Sequence, residues 1–256
     1  MTDCIDILWD IHNNPAAGYD LALATPERVK NFPQDTASGQ QLQLQLLARW
    51  LERGEHLGGW KIGMTSGASR NAMGNGIRPF GFILQSRIKT SSDPLSVHDL
   101  HRGQIENELC FRISSTLGEG ATPAEAKNCV AEILPAFEIN QKRLGPDAAA
   151  PLRIADNLSN WGIVIGDPVP PATDISHLRV TLAEGTRVIE TIASKGHIDD
   201  HYESLAILAN QLALHGQTLE AGQYVITGAY GKTPFAAGRY TGHFDSGVGS
   251  VDVQLV

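Results

Sequence analysis

Cysteine is scarce: Cys4, Cys110 and Cys129 are the only three among 256 residues. Their odd number and wide spacing argue against a disulfide framework or a zinc pattern, and the expected compartment is a reducing cytoplasm. No apolar run approaches the roughly 18–20 residues of a membrane-spanning helix. The first residues lack a basic stretch followed by an apolar one, so no secretory signal peptide is expected. Positive charge is also short, with 20 Lys and Arg against 28 Asp and Glu, a net charge of −8. Without a basic cluster or an RNA-type aromatic motif, neither nucleic-acid nor anionic-membrane binding is expected. Internal repeats and low-complexity tracts are absent. What is left, 42% hydrophobic and 19% charged, is ordinary globular composition.

The length suits one continuous domain, with residues 1–55 as a helical N-terminal portion and residues 56–256 as a β-rich body. Leu42, Leu44, Leu46, Leu47, Trp50 and Leu51 place apolar groups on one side of a helix that Gly54 stops. Residues 13–40, rich in Pro, Gly, Asn, Asp and Thr, read as a long surface connection. From Gly58 onward, short alternating segments between glycines and prolines predict a sheet. Thr122-Pro123-Ala124-Glu125 starts a short helix, and residues 202–215 form another, stopped by Gly216. Residues 178–183 and 187–193 read as a hairpin, and residues 224–227 and 250–256 as closing strands. The expected class is α+β.

Three glutamates stand in apolar strand-like segments: Glu106 and Glu108 in Ile105-Glu106-Asn107-Glu108-Leu109-Cys110-Phe111, and Glu138 in Pro135-Ala136-Phe137-Glu138-Ile139. Carboxylates are rare in such places unless compensated. Residues two apart on a strand share a face, so Glu106 and Glu108 project together while Ile105, Leu109 and Phe111 turn to a core. If Glu138 joins them, a hard divalent ion such as Mg²⁺ or Mn²⁺ resolves the clash of like charges. Ion pairs with Arg112 or Arg143 are the alternative.

Lys61, in Gly58-Gly59-Trp60-Lys61-Ile62-Gly63-Met64-Thr65-Ser66, has glycines on its own face and Trp60 and Ile62 on the other. It suits a substrate-orienting or proton-moving role, or else a surface lysine on an edge strand. Asp156-Asn157-Leu158-Ser159-Asn160 is either a ligand-binding polar cluster or a self-satisfied turn. Gly228-Ala229-Tyr230-Gly231-Lys232-Thr233-Pro234 reads as a glycine-rich loop without phosphate-loop spacing. His197 with His201, and His98 with His101, lack the flanks of a zinc helix, and Asp199 and Asp200 suggest a solvated loop there.

In order, these segments resemble the motifs of the 2-keto-4-pentenoate hydratase / 4-oxalocrotonate decarboxylase family, part of the fumarylacetoacetate hydrolase-like superfamily. Gly59-Trp60-Lys61-Ile62-Gly63-Met64-Thr65-Ser66, Ile105-Glu106-Asn107-Glu108 with Phe111, Pro135-Ala136-Phe137-Glu138-Ile139 with Arg143, and Asp156-Asn157-Leu158-Ser159 carry the likeness over residues 40–256. The resemblance implies a β-rich fumarylacetoacetate hydrolase-like fold and a Mg²⁺ or Mn²⁺ ion on Glu106, Glu108 and Glu138. It implies catalytic roles for Lys61 and Ser159, and substrate contacts from Thr65, Ser66, Asp156, Arg143 and Thr233. The expected substrate is a small 2-oxo or 2-hydroxydienoic acid from aromatic ring cleavage, chelated through its carboxylate and C2 oxygen, with water adding at C4. A homo-oligomer is also implied. Decarboxylation of a 2-oxo dicarboxylate is the alternative, since the same electron sink serves loss of CO₂. Tautomerisation or C–C hydrolysis needs a catalytic dyad that the sequence does not display. Two departures stand out. Pro79, in Arg78-Pro79-Phe80-Gly81, replaces the family's acidic residue, which leaves room for a non-catalytic partner subunit. Gln141-Lys142-Arg143 replaces its D-S-R, which fits either a substrate with a second anionic group or a change at the surface only.

Overall fold

A pair of helices leads into the sheets of the computed structural model, which describes residues 2–15 and 27–256. Part of the connection expected at residues 13–40 therefore lies outside the described residues. Strand β1 (Thr2–Asp3) runs into α1 (Cys4–Asn13) and pairs in parallel with β2 (Val29–Lys30). Helix α2 (Thr36–Glu52) opens on a capping box between Asp35 and Ser38. Its buried face is wider than the leucine stripe because Gln40 and Gln43 are enclosed too. Gln43 Nε2 donates to the carbonyls of Phe80 and Ile154, each at 2.8 Å, so its burial is satisfied.

Strands β3 (Leu57–Ile62), β4 (Phe80–Leu84), β5 (Ile88–Thr90) and β6 (Gly103–Ile113) come next. Helix α3 (Pro123–Asn128), with Thr122 and Glu125 as a second capping box, leads to β7 (Val130–Gln141). Helix α4 (Ala150–Ala155) precedes β8 (Asn160–Ile165). The hairpin is β9 (Arg179–Glu184) and β10 (Arg187–Ala193), followed by α5 (His201–Ala213), β11 (Tyr224–Pro234), β12 (Gly238–Phe244) and β13 (Gly249–Leu255).

Seven strands form one sheet in the order β4-β3-β11-β6-β7-β8-β5, and four form a second in the order β10-β9-β12-β13. With the helices, this is an α+β architecture. The second sheet packs on β7: a Cβ at Gly242 would sit 3.0 Å from the Phe137 ring. Leu182, Phe244, Val251, Phe111 and Phe137 are all buried in one core.

Two elements depart from the sequence reading. Residues 36–40, expected in the long connection, form the start of α2. Residues 228–234 are not a loop; they continue β11 to Pro234. The register against β6 slips between Ile226 and Ala229 and again between Ala229 and Lys232. The glycines there serve bulges, which re-aim a strand without ending it, and Gly228 takes φ +133°. Among the described residues, no helix is long and apolar enough to cross a membrane.

Candidate active site

The site grows from strand alternation. Ile105, Leu109 and Phe111 are buried on one face of β6, while Glu106 and Glu108 emerge together on the other. Strand β7 runs antiparallel beside β6 and sets Glu138 directly opposite Glu106. One carboxylate oxygen from each of the three glutamates lies within 4.8 Å of the others.

Each carboxylate has its own donor. Glu138 Oε1 accepts from Lys61 Nζ and, at 2.7 Å, from Asn160 Nδ2. Glu108 Oε2 accepts the Gly228 N–H at 2.6 Å, the donor that the β11 bulge re-aims. Glu106 Oε1 accepts from Gln104 Nε2 at 3.2 Å. The arginines weighed as ion-pair partners are engaged elsewhere, Arg112 with Glu132 and Arg143 with Asp156. Burial, and then the charge of Glu138, raise Glu106 above the usual carboxylate range and Glu108 well above it. Burial on its own would lower Lys61, but the charges of Glu138, Glu108 and Glu106 outweigh it and hold the ammonium above its ordinary value. Lys61 is thus the buried cation of a site with more negative charge than one lysine balances.

Room for Lys61 comes from an unexpected glycine. Gly81 lies beside it in the β3–β4 register, and a Cβ there would fall 2.9 Å from both Lys61 Cγ and Asn157 Oδ1. Gly59 instead admits a neighbouring backbone, since its Cβ would meet the Tyr224 carbonyl oxygen at 1.9 Å.

Glu106, Glu108, Glu138 and Lys61 line a cavity of about 450 Å³, together with Thr65, Ser66 and Ser159. Thr65 Oγ1 donates to the Thr227 carbonyl at 2.8 Å. Ser159 ends a run of three left-handed residues, Asn157 (φ 58°), Leu158 (φ 51°) and Ser159 (φ 65°), which turns the chain from α4 into β8 beside the cavity. Lys142, Arg153 and Lys232 line its exposed part.

Three residues expected at the substrate are not brought there. Arg143 and Asp156 are fully enclosed and do not line the cavity. Arg143 Nε donates to Asp156 Oδ1 at 2.8 Å, and His12 Nε2 meets the same oxygen at 3.0 Å. Two buried charges are retained because each neutralises the other, and the pair anchors the 157–159 turn from behind. Thr233 points its hydroxyl at the Pro234 carbonyl at 3.0 Å and also lies off the cavity wall.

The His12–Asp156 contact has a pH signature. Burial, reinforced by the Arg143 charge, lowers His12 from 6.5 to about 4. The unfolded chain therefore binds a proton that the folded chain refuses between about pH 4 and 6.5. Stability from this group is full above 6.5 and is lost as pH falls. Glu106 and Glu108, being raised, respond in the opposite sense, so a comparison isolates the histidine. Denaturant unfolding of His12→Gln is expected to depend less steeply on pH than the wild type between pH 5 and 6, by about 1.4 kcal/mol per pH unit. Equal slopes would refute a neutral buried His12.

Sequence reasoning passed over several residues. The sequence marks Asn160 only as part of a polar cluster; its bond to Glu138 depends on β8 pairing with β7, for which the sequence holds no signal. His197 lines the cavity and its Nε2 meets the Ala229 carbonyl at 3.1 Å. His201 is not on a solvated loop; it is buried at the start of α5, bonded to Thr227 and Tyr230. Pro79, at the family's acidic position, does not line the cavity; its carbonyl accepts the Gly63 N–H at 2.8 Å.

No family model matches the chain. The fold is one that solved fumarylacetoacetate hydrolase-like proteins share, and relatives in sequence narrow this. It is 31% identical over 204 residues to the 2-keto-4-pentenoate hydratase of Paraburkholderia phymatum, covering 77% of this chain and 78% of that one. It is 28% identical over 207 residues to a 4-oxalocrotonate decarboxylase of a Pseudomonas species, covering 80% and 81%. The solved structure of 4-oxalocrotonate decarboxylase from Pseudomonas putida G7, complexed with magnesium and adipate, shares the fold at a TM-score of 0.86 and 23% identity, over 99% of this chain and 97% of that one. The chain belongs to the 2-keto-4-pentenoate hydratase / 4-oxalocrotonate decarboxylase family.

Proposed function

We propose that this protein is a divalent-metal-dependent lyase acting on a small 2-oxo or 2-hydroxydienoic acid, with Glu106, Glu108 and Glu138 as the metal ligands. The observation that carries this reading is the convergence of three carboxylates from β6 and β7 in one cavity. The donor set fits Mg²⁺ or Mn²⁺. All the ligand atoms are hard oxygens, and one from each glutamate lies within 4.8 Å of the others. The solved relative's complex with magnesium supports the same choice. When bound, the ion supplies Lewis-acid polarisation of the substrate's C2 oxygen.

The chain's own residues do the rest. Gly228 N–H and Asn160 Nδ2 hold two of the carboxylates in place. Lys61 Nζ offers a positive donor inside the cluster, suited to orienting the substrate's carboxylate or moving a proton. Ser159, Thr65 and Ser66 line the same cavity. Whether the enzyme hydrates or decarboxylates turns on the far end of the substrate. Lys142, Arg153 and Lys232 favour an anionic group there, hence a dicarboxylate. That observation gives the decarboxylase reading, or hydration of a dioate, its support. The reading includes a homo-oligomer in the cytoplasm, in keeping with three free cysteines, all buried.

The test is incubation with Mg²⁺ and each dienoate. Hydroxyl incorporation without CO₂ marks a hydratase, CO₂ release a decarboxylase, and metal binding without turnover on any of them overturns the enzymatic reading. Lys232→Ala is expected to raise KM for a dicarboxylate roughly five- to tenfold, the worth of about 1 kcal/mol for a partly screened ion pair, while leaving a monocarboxylate unchanged. Equal effects on both substrates contradict the dicarboxylate assignment.

A further inference from the structure

The β11 bulge has lost part of its pairing with β6 where it delivers a donor to Glu108. Its ladder lapses around Thr227 and Gly228, and again around Tyr230 and Gly231. A strand interrupted twice needs another restraint if its amides are to stay aimed. His201 supplies one from α5. Its Nδ1 meets Thr227 Oγ1 at 2.7 Å and its Nε2 meets the Tyr230 hydroxyl at 2.8 Å, so one ring spans both interruptions. On the cavity side Thr65 Oγ1 donates to the Thr227 carbonyl at 2.8 Å. Between these holds Gly228, at φ +133°, gives its N–H to Glu108 at 2.6 Å. Tyr230 is wedged further by the stacked ring of His197 (centroids 6.4 Å apart) and the edge-on ring of Phe244 (5.9 Å). Burial lowers His201 to about 4. Its neutral ring therefore keeps one donor and one acceptor, which two hydroxyls can match in either tautomer.

We infer that His201 is a positioning residue: with Thr227 and Tyr230 it brackets the bulge, so that the Gly228 N–H holds Glu108 in its metal-binding orientation. This rests on the reading of Glu108 as a metal ligand. Tyr230→Phe and Thr227→Val each cut one leg with little change of volume, and the double variant cuts both. Mn²⁺ binding, followed by electron paramagnetic resonance of the free ion, reads the effect without turnover. The double variant is expected to raise the Mn²⁺ Kd about tenfold, the low end of what outer partners of metal ligands carry. Each single variant raises it less. Leu212→Ala, buried on the same helix, serves as a stability control: it lowers Tm and leaves the Kd in place. A double variant that binds Mn²⁺ within twofold of the wild type overturns the bracket and leaves the proposed function standing. A Leu212→Ala variant that weakens binding as much as the double one overturns it too, by making the effect one of general loosening. A wild type that binds no Mn²⁺ sinks the functional reading beneath it.

Discussion

Glu108→Gln is expected to weaken Mn²⁺ binding at least about a hundredfold, beyond the usual cost of losing an outer partner, with turnover falling in step. Glutamine keeps the shape of the side chain and can still accept the Gly228 N–H. It removes one negative charge from a cluster whose members are buried and oppose one another. In the absence of metal, the variant should therefore melt at or above the wild type, because the like-charge repulsion is relieved. With saturating Mn²⁺ the order reverses, since only the wild type gains fully from binding. The pairing of outcomes matters. A variant that loses activity and also melts lower without metal has been damaged in its fold, and one that keeps Mn²⁺ affinity shows that Glu108 is no ligand. Calorimetric melts with and without the ion separate these cases.

Lys61→Met is the second large effect, and it acts on turnover more than on metal affinity. The methionine retains the apolar stem beside Gly81 and deletes the ammonium that donates to Glu138. Turnover at saturating Mn²⁺ is expected to fall about 10²- to 10⁴-fold, the range for a positioned proton-transfer group. Mn²⁺ affinity should hold or improve, because a competing cation has left the carboxylates. The metal-free variant should be less stable than the metal-free wild type, with Glu138 buried beside two other acids and no counter-charge. Steady-state kinetics at several Mn²⁺ concentrations, with a separate binding titration, check both halves. Near-wild-type kcat at saturating metal would reduce Lys61 to a counter-ion of the empty site.

The sequence displayed the site's acids more plainly than the contacts that hold them. Glu106 and Glu108 were legible because a strand's period of two fixes their shared face, and their apolar neighbours fix which face is core. Glu138 was legible as an acid in an apolar strand, but its place opposite Glu106 follows from the β6–β7 register. Helix starts at Thr122 and the β9–β10 hairpin were marked by local chemistry, capping and turn residues. What the sequence hid lies at tertiary contacts. Arg143 and Asp156 carry no mark that says they face each other and not the cavity, because burial of a charge depends on what packs around it. Residues 228–234 read as a loop because glycine interrupts both loops and bulged strands, and only the partner strand decides between them. Nothing in the sequence marks Gln40 and Gln43 of α2 as buried, because their carbonyl partners come from β4 and α4.

A crystal grown with Mn²⁺, with diffraction recorded at the manganese absorption edge, tests the central claim most directly. The expected result is one strong anomalous peak bounded by carboxylate oxygens of Glu106, Glu108 and Glu138, absent in crystals of Glu108→Gln. A peak elsewhere on the molecule, or none between those side chains with Lys61 still bonded to Glu138, would contradict it.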